Sequence, residues 1–277
     1  VLAGPLGWGP SNNAEAYLML LDQAGNIIWN YAYGGLQSDQ GADVLVLPDG
    51  FLLVGSHSSN LGGNGEGLIV RTDAAGQVIW ARALSGPGDE SLYNAAVLPS
   101  GDFVVSGQTN SFGAGNVDAW LARISANGNL LWTRTFGGTG IEAGFGVEIT
   151  LEGDVLLSGY TNSFGAGGYN GFMAKFDTLG NFRWGKAYGG PGSDLSYRAL
   201  ASRQGGYLLS GYSSTLGVGG QDGYAMRTDT AGNVIWARAY GSPAMDRIFN
   251  AVDAPVSGFY LTGETTTNTF GAGDHMI

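Results

Sequence analysis

The sequence predicts an all-β fold in which one small unit repeats along the chain. Three observations predict it. First, a tryptophan recurs at Trp29, Trp80, Trp132, Trp184 and Trp236, in steps of 51, 52, 52 and 52 residues. A fixed period near fifty means an array of small supersecondary units. Second, each tryptophan ends the same pattern of a polar residue, a Gly turn and an apolar run, as in Asp73-Ala-Ala-Gly-Gln-Val-Ile-Trp80. Third, glycine is 50 of 277 residues with no collagen-like period, against a usual share of about 7%. Such an excess serves tight turns, where Gly adopts φ > 0 at least cost.

One period reads as four strands. Ser91 to Pro99 is the first, and Ser100-Gly101 turns it into the second, Asp102 to Gly107. A polar Gly loop, Gln108 to Asn116, leads to the third, Ala119 to Ile124. Ser125-Ala-Asn-Gly128 then turns into the fourth, Asn129 to Phe136, which ends in Gly137-Gly138. Short β-branched and aromatic runs bounded by Gly, Asn and Asp are strand signals. No stretch carries a helical period with caps.

A repeated four-stranded unit cannot bury both faces alone. Radial packing of such units does bury them, which is the β-propeller solution. The first strand, rich in Ala and Val (Ala95-Ala96-Val97), belongs innermost, and the tryptophan strand at the rim between blades.

The expectation is one propeller domain over 1–277. Its parts are a partial blade at 1–35, full blades at 38–86, 89–138, 141–190 and 193–242, and a partial blade at 245–277. Val1 to Asp22 aligns with Leu52 to Asp73, so the chain begins at a second strand and stops inside a third. Six blades with incomplete first and last is the favoured arrangement. The alternative is five blades, with Phe249 to Ala254 completing the N-terminal unit by strand exchange.

Net charge is −11, from 12 basic and 23 acidic residues. Nucleic acid and anionic membrane both need a basic footprint, so neither is expected as a partner. Cysteine is absent, which excludes disulfides and thiolate metal sites. No apolar run approaches the roughly 18 residues of a membrane span. Val1 already lies within a repeat, so any leader is expected to have been removed or left out.

The units read Asp-x-x-Gly-Asn-x-x-Trp-x-Arg-x-Tyr-Gly-Gly, followed by Gly-Tyr-Leu-Leu-Ser-Gly-Tyr and Thr-Asn-Ser-Phe-Gly-Ala-Gly. They resemble bacterial and archaeal extracellular β-propeller repeats of the SBBP type, and more loosely NHL and PQQ-type blades. The resemblance covers essentially the whole chain. It implies a secreted or cell-surface protein and carries no catalytic, quinone or metal residue across.

Several positions stay polar in register. Asp39, Glu90, Glu142, Asp194 and Asp246 mark the entrance to each first strand. They could form a ring of carboxylates for a cation, but a position shared by every blade more often solves a problem each blade shares. Glu15, Glu66, Asp118, Asn170, Asp222 and Asp274 precede each third strand. Gly-x-Gly loops make Asp118, Asp222 and Asp274 calcium candidates. One carboxylate per loop falls well short of the six to eight oxygens calcium takes, so a loop cap is favoured and no cofactor is expected. Arg71, Arg123, Lys175 and Arg227 are expected to pair with carboxylates between blades.

The repeated loops offer Thr109, Asn110, Thr161, Asn162 and Ser213 beside aromatics such as Phe112 and Tyr160. Hydroxyls and amides of this kind can read sugar hydroxyls, which makes a glycan-binding module the second functional reading. Two histidines, His57 and His275, supply little for nucleophilic catalysis, and His57 is expected in a solvated loop. Repeat-equivalent acids give no reason for one to act as the acid of a hydrolase or lyase. The first reading is therefore a non-catalytic interaction scaffold that takes a protein partner, with self-association by strand donation at the terminal units.

Overall fold

The computed structural model describes residues 2–6, 14–35, 37–58 and 64–266. The chain divides into two compact units, residues 1–135 and 136–277. Every element among the described residues is a strand.

Unit 1 begins with a three-stranded sheet of β1 (Leu2–Leu6), β2 (Glu15–Leu21) and β3 (Ile27–Tyr33). A four-stranded sheet follows, of β4 (Asp39–Leu47), β5 (Gly50–Ser58), β6 (Gly65–Asp73) and β7 (Val78–Leu84). The next holds β8 (Glu90–Val97), β9 (Phe103–Thr109), β10 (Asp118–Ile124) and β11 (Leu130–Phe136). Unit 2 repeats this with β12 (Glu142–Ile149), β13 (Val155–Thr161), β14 (Asn170–Phe176) and β15 (Phe182–Tyr188). It continues with β16 (Asp194–Ala201), β17 (Tyr207–Ser213), β18 (Asp222–Thr228) and β19 (Val234–Tyr240), then β20 (Asp246–Asp253) and β21 (Phe259–Thr265). Each sheet is an antiparallel meander in chain order. The expected third strand of the last repeat, ending at Ile277, lies outside the described residues. β20 pairs with β21, Asp246 opposite Thr265, as Glu142 pairs with Thr161.

The first strand of each sheet packs on the sheet before it within its unit. β4 lies against β1 and β2, β8 against β5 and β6, β16 against β13 and β14, and β20 against β17 and β18. Both faces of a middle strand are therefore buried, and its alternating residues serve two cores. Leu52 and Val54 join one cluster with Phe103 and Trp120, while Phe51 and Leu53 join another with Leu18 and Tyr33.

One irregularity recurs in every first strand. Ladder register skips Ala42, Tyr93, Phe145, Tyr197 and Phe249, leaving each as a bulge. The cause is a glycine shared by the second strands. A Cβ on Gly55, Gly107, Gly159, Gly211 or Gly263 would stand 1.8 Å from a carbonyl oxygen of the first strand. Glycine permits that close approach, and the approach forces the extra residue out of the ladder.

Candidate functional site

The acids at the first-strand entrances open β4, β8, β12, β16 and β20, and all five are at most 2% exposed. Glu142 accepts the Gly138 N–H at 2.8 Å and the Thr161 hydroxyl at 2.7 Å. Glu90 does the same with Gly86 at 2.6 Å and Thr109 at 2.8 Å. Asp194 takes Gly190 N–H at 2.7 Å, Thr215 at 2.9 Å and the Ser213 hydroxyl. Asp246 takes Ser242 N–H at 2.8 Å. Each carboxylate thus clasps the incoming turn, and Glu90, Glu142 and Asp194 also hold the second strand of their own sheet. Converging donors satisfy a buried charge without a counter-ion.

His57 occupies the hydroxyl position of the β4–β7 sheet. It lies on β5 with Nδ1 against Asp39, not in a solvated loop as its sequence position suggested. His275 lies outside the described residues.

The loop residues serve the same clasp. Thr109, Thr161 and Ser213 are buried ends of second strands rather than loop groups. Asn110 Oδ1 accepts the Asp89 N–H at 2.5 Å and Asn162 Oδ1 accepts Ile141 N–H at 2.6 Å. The amide oxygens of these exposed asparagines are engaged within the fold.

Asp118 and Asp222 cap their glycine loops, accepting the N–H of Gly115 at 3.0 Å and of Gly219 at 2.9 Å. Asp274 lies outside the described residues. The two acidic registers, separate in sequence, meet in space. A Cβ on Gly241 would lie 2.6 Å from Asp222 Oδ1 and 2.7 Å from Asp246 Oδ2. At Glu15, burial and the nearby charge of Asp39 push the carboxyl above its usual range. No group of three or more His, Asp or Glu converges among the described residues in a way that could hold a metal.

The tryptophans face the turn glycine of the next repeat. A Cβ on Gly76 would meet Trp29 at 3.1 Å, on Gly128 Trp80 at 2.8 Å, and on Gly232 Trp184 at 3.0 Å. Trp80 Nε1 also donates to Ala126 O at 3.0 Å. Trp236 packs on a buried cluster with Leu208 and Ala251, while Trp132 is half-buried on β11. Three of the basic residues of the third strands pair within their own sheet, which corrects the inter-blade expectation for them, while Arg227 donates to the carbonyls of Tyr207, Thr228 and Gly205. Arg123 meets Asp102 at 2.5 Å, Lys175 meets Asp154 at 3.2 Å, and Arg71 meets Asp49. The second strand pairs with the third, Gly50 opposite Asp73, so the first hairpin turn lies beside the end of the third strand.

Two surfaces remain that the register motifs do not use. The first is the first-strand face of unit 2. Bulge residues Phe145 and Tyr197 are 5.9 Å apart between ring centroids, and Tyr197 and Phe249 are 5.1 Å apart. Phe249 is 41% exposed. The same three strands line a cavity of about 210 Å³, whose lining includes Glu148 and the residues next in sequence to Tyr197 and Phe249, Arg198 and Asn250. Burial raises the Glu148 carboxyl above the usual range, partly offset by the charge of Arg198. The signal for this face was in the sequence as aromatics at 93, 145, 197 and 249, at steps of 52. It was masked by the louder tryptophan register.

The second is the outer edge of the sheets. Ile27 and Ile28, Val78 and Ile79, Leu130 and Leu131, and Val234 and Ile235 are each 50–62% exposed. The ladder skips Ile28, Ile79 and Ile235, so each of these outer strands starts with a bulge, and a bulge breaks the regular alternation that would bury one residue of the pair.

No family model matches the chain, and no curated protein matches it. Among solved structures it is similar to Sqt1 from Chaetomium thermophilum, with a TM-score of 0.54 and 13% identity over 87% of this chain and 61% of that one. It is also similar to BamB from Moraxella catarrhalis, with a TM-score of 0.50 and 16% identity over 87% of this chain and 64% of that one. Both are β-propeller proteins, and the likeness is one of fold. The chain spans somewhat over three fifths of the length of each.

Proposed function

We propose that the chain is a non-catalytic β-propeller scaffold that takes protein partners along the outer edges of its sheets, a second copy of itself among them. The observation that carries this is the exposed aliphatic pair repeated on β3, β7, β11 and β19. An outer strand offers unpaired backbone groups, and an aliphatic pair on it favours strand addition over solvation. Only β15 breaks the pattern among these outer strands, with Arg183 after Phe182. In this reading the six sheets are six blades, and the repeat resemblance supports an extracellular or cell-surface setting. The non-catalytic part rests on the engagement of His57 by Asp39 and on the internal use of the repeated acids.

Sedimentation velocity across a concentration series tests the reading. Wild type is expected to associate with rising concentration, and Ile79→Lys with Ile235→Lys is expected to remain monomeric with an unchanged melting temperature. A wild-type chain that stays monomeric throughout overturns self-association. Turnover of a lactone, ester or glycoside panel overturns the non-catalytic assignment.

A further inference from the structure

We propose that the first-strand face of unit 2 binds a carbohydrate, with one sugar residue in the Glu148–Arg198–Asn250 cavity and adjoining residues stacked along Phe145, Tyr197 and Phe249. This site is separate from the outer edges and stands without them.

The bulge itself does not require an aromatic residue. In the β4–β7 sheet the same bulge holds Ala42, and the ladder on either side is the same. The aromatics at Phe145, Tyr197 and Phe249 therefore do something beyond completing the strand. Phe145 and Tyr197 are half-buried and Phe249 is exposed, so the three form a row with open ring surface. Sugar rings present C–H faces that suit such a row, and aromatic side chains offer that area at low conformational cost.

The cavity supplies the polar half. Its three hydrogen-bonding side chains come from three successive first strands and are of three kinds. Arg198 only donates, the amide of Asn250 donates and accepts, and the carboxyl of Glu148 accepts or donates with its protonation. A vicinal diol presents the matching mixture of donors and acceptors. The register makes Glu148 distinctive, whereas Arg198 and Asn250 stand at a position that is also polar as Asp43 and Asn94. Glu148 stands where its neighbours have Leu200 and Val252, and Arg198 where one neighbour has Gly146. That glycine leaves room for the arginine stem, since a Cβ there would meet Arg198 Cγ at 3.1 Å. Glu148 breaks its register, and a structural role shared by every sheet does not explain an acid there. The cavity, at about 210 Å³, is smaller than the ~300–1,000 Å³ of drug-sized sites and suits a single sugar ring better than a cofactor. Two arginines, Arg198 and Arg247 beside Tyr197, in a chain of net charge −11 fall short of the basic stripe a polyanion needs.

The test is isothermal titration of the full chain with defined cello-, xylo-, chito- and malto-oligosaccharides. At least one series is expected to bind, with affinity rising with chain length as the aromatic row is engaged. Phe249→Ala is expected to weaken that binding about tenfold or more, and Arg198→Met to do likewise. Phe249 is exposed, so its variant is expected to keep the wild-type melting temperature, which separates lost contact from lost fold. Phe249→Tyr is expected to retain binding. A panel without a binder, or a binder unaffected by both substitutions, overturns the proposal. Binding of a peptide library at this face in place of any sugar overturns the ligand class. The I79K/I235K protein is expected to bind sugar as wild type does, so failure of either surface is read separately.

Discussion

Thr161 shows what the repeated polar positions do. Its hydroxyl donates to Glu142 at 2.7 Å, and both side chains are fully buried. Thr161→Val keeps the shape and removes the donor, leaving a buried carboxylate with one bond fewer. The expected loss is about 1–3 kcal/mol in urea unfolding, with Thr161→Ser nearer wild type. Glu148 behaves differently, because its carboxyl is raised by burial in spite of Arg198. A raised folded value means that the folded protein holds the proton more tightly. The stabilisation is present below the ordinary glutamate range and is lost as pH rises through the folded value. Glu148→Gln is therefore expected to melt above wild type at pH 7, with the difference vanishing below about pH 4. A variant that melts lower at pH 7 would mean that attraction to Arg198 outweighs burial.

Among elements, the first hairpin of each sheet is the most constrained. Gly159 and Gly153 make a matched pair of tests. A Cβ at Gly159 would stand 1.8 Å from the Ala143 carbonyl oxygen, whereas one at Gly153 meets nothing within 4 Å. Gly153→Ala carries only the strain of φ +85, about 1–2 kcal/mol. Gly159→Ala must push β12 from β13, and is expected to cost more than Gly153→Ala, about 3 kcal/mol or above. Equal losses would show that the bulge yields freely. The tryptophan turn is softer, because each ring is only half-buried. Trp80→Phe gives up the bond to Ala126 and is expected to lose about 0.5–1.5 kcal/mol.

At the scale of the whole molecule, stability comes from each sheet resting on the one before it within its unit. Net charge is the global property with a direct readout. At −11 the protein is expected to give no mobility shift with duplex DNA even at about 50 mM salt. A shift there would point to a local basic surface that the even spread of cations does not suggest.

Period, strand number per unit, turn positions and the structural character of the repeated acids were all legible in the chain. They are local or repeat-wise properties: a Gly turn needs only its neighbours, and a fifty-residue period is visible as spacing. Strand ends were read to within about two residues, and Thr109 shows why not better. Its polar character suggested a loop, but a buried carboxylate 19 residues away recruits its hydroxyl into β9. Tertiary packing alone decided which polar groups are spent and which remain open. Asn110 and Asn162 look available as text and are bonded in space, while Phe249, at the bulge of β20, stays exposed. The physical reason is the bulge: glycine lets the second strand approach so closely that a Cβ would stand 1.8 Å from a carbonyl oxygen across the ladder, one residue of each first strand leaves the register, and no one-dimensional pattern contains that distance.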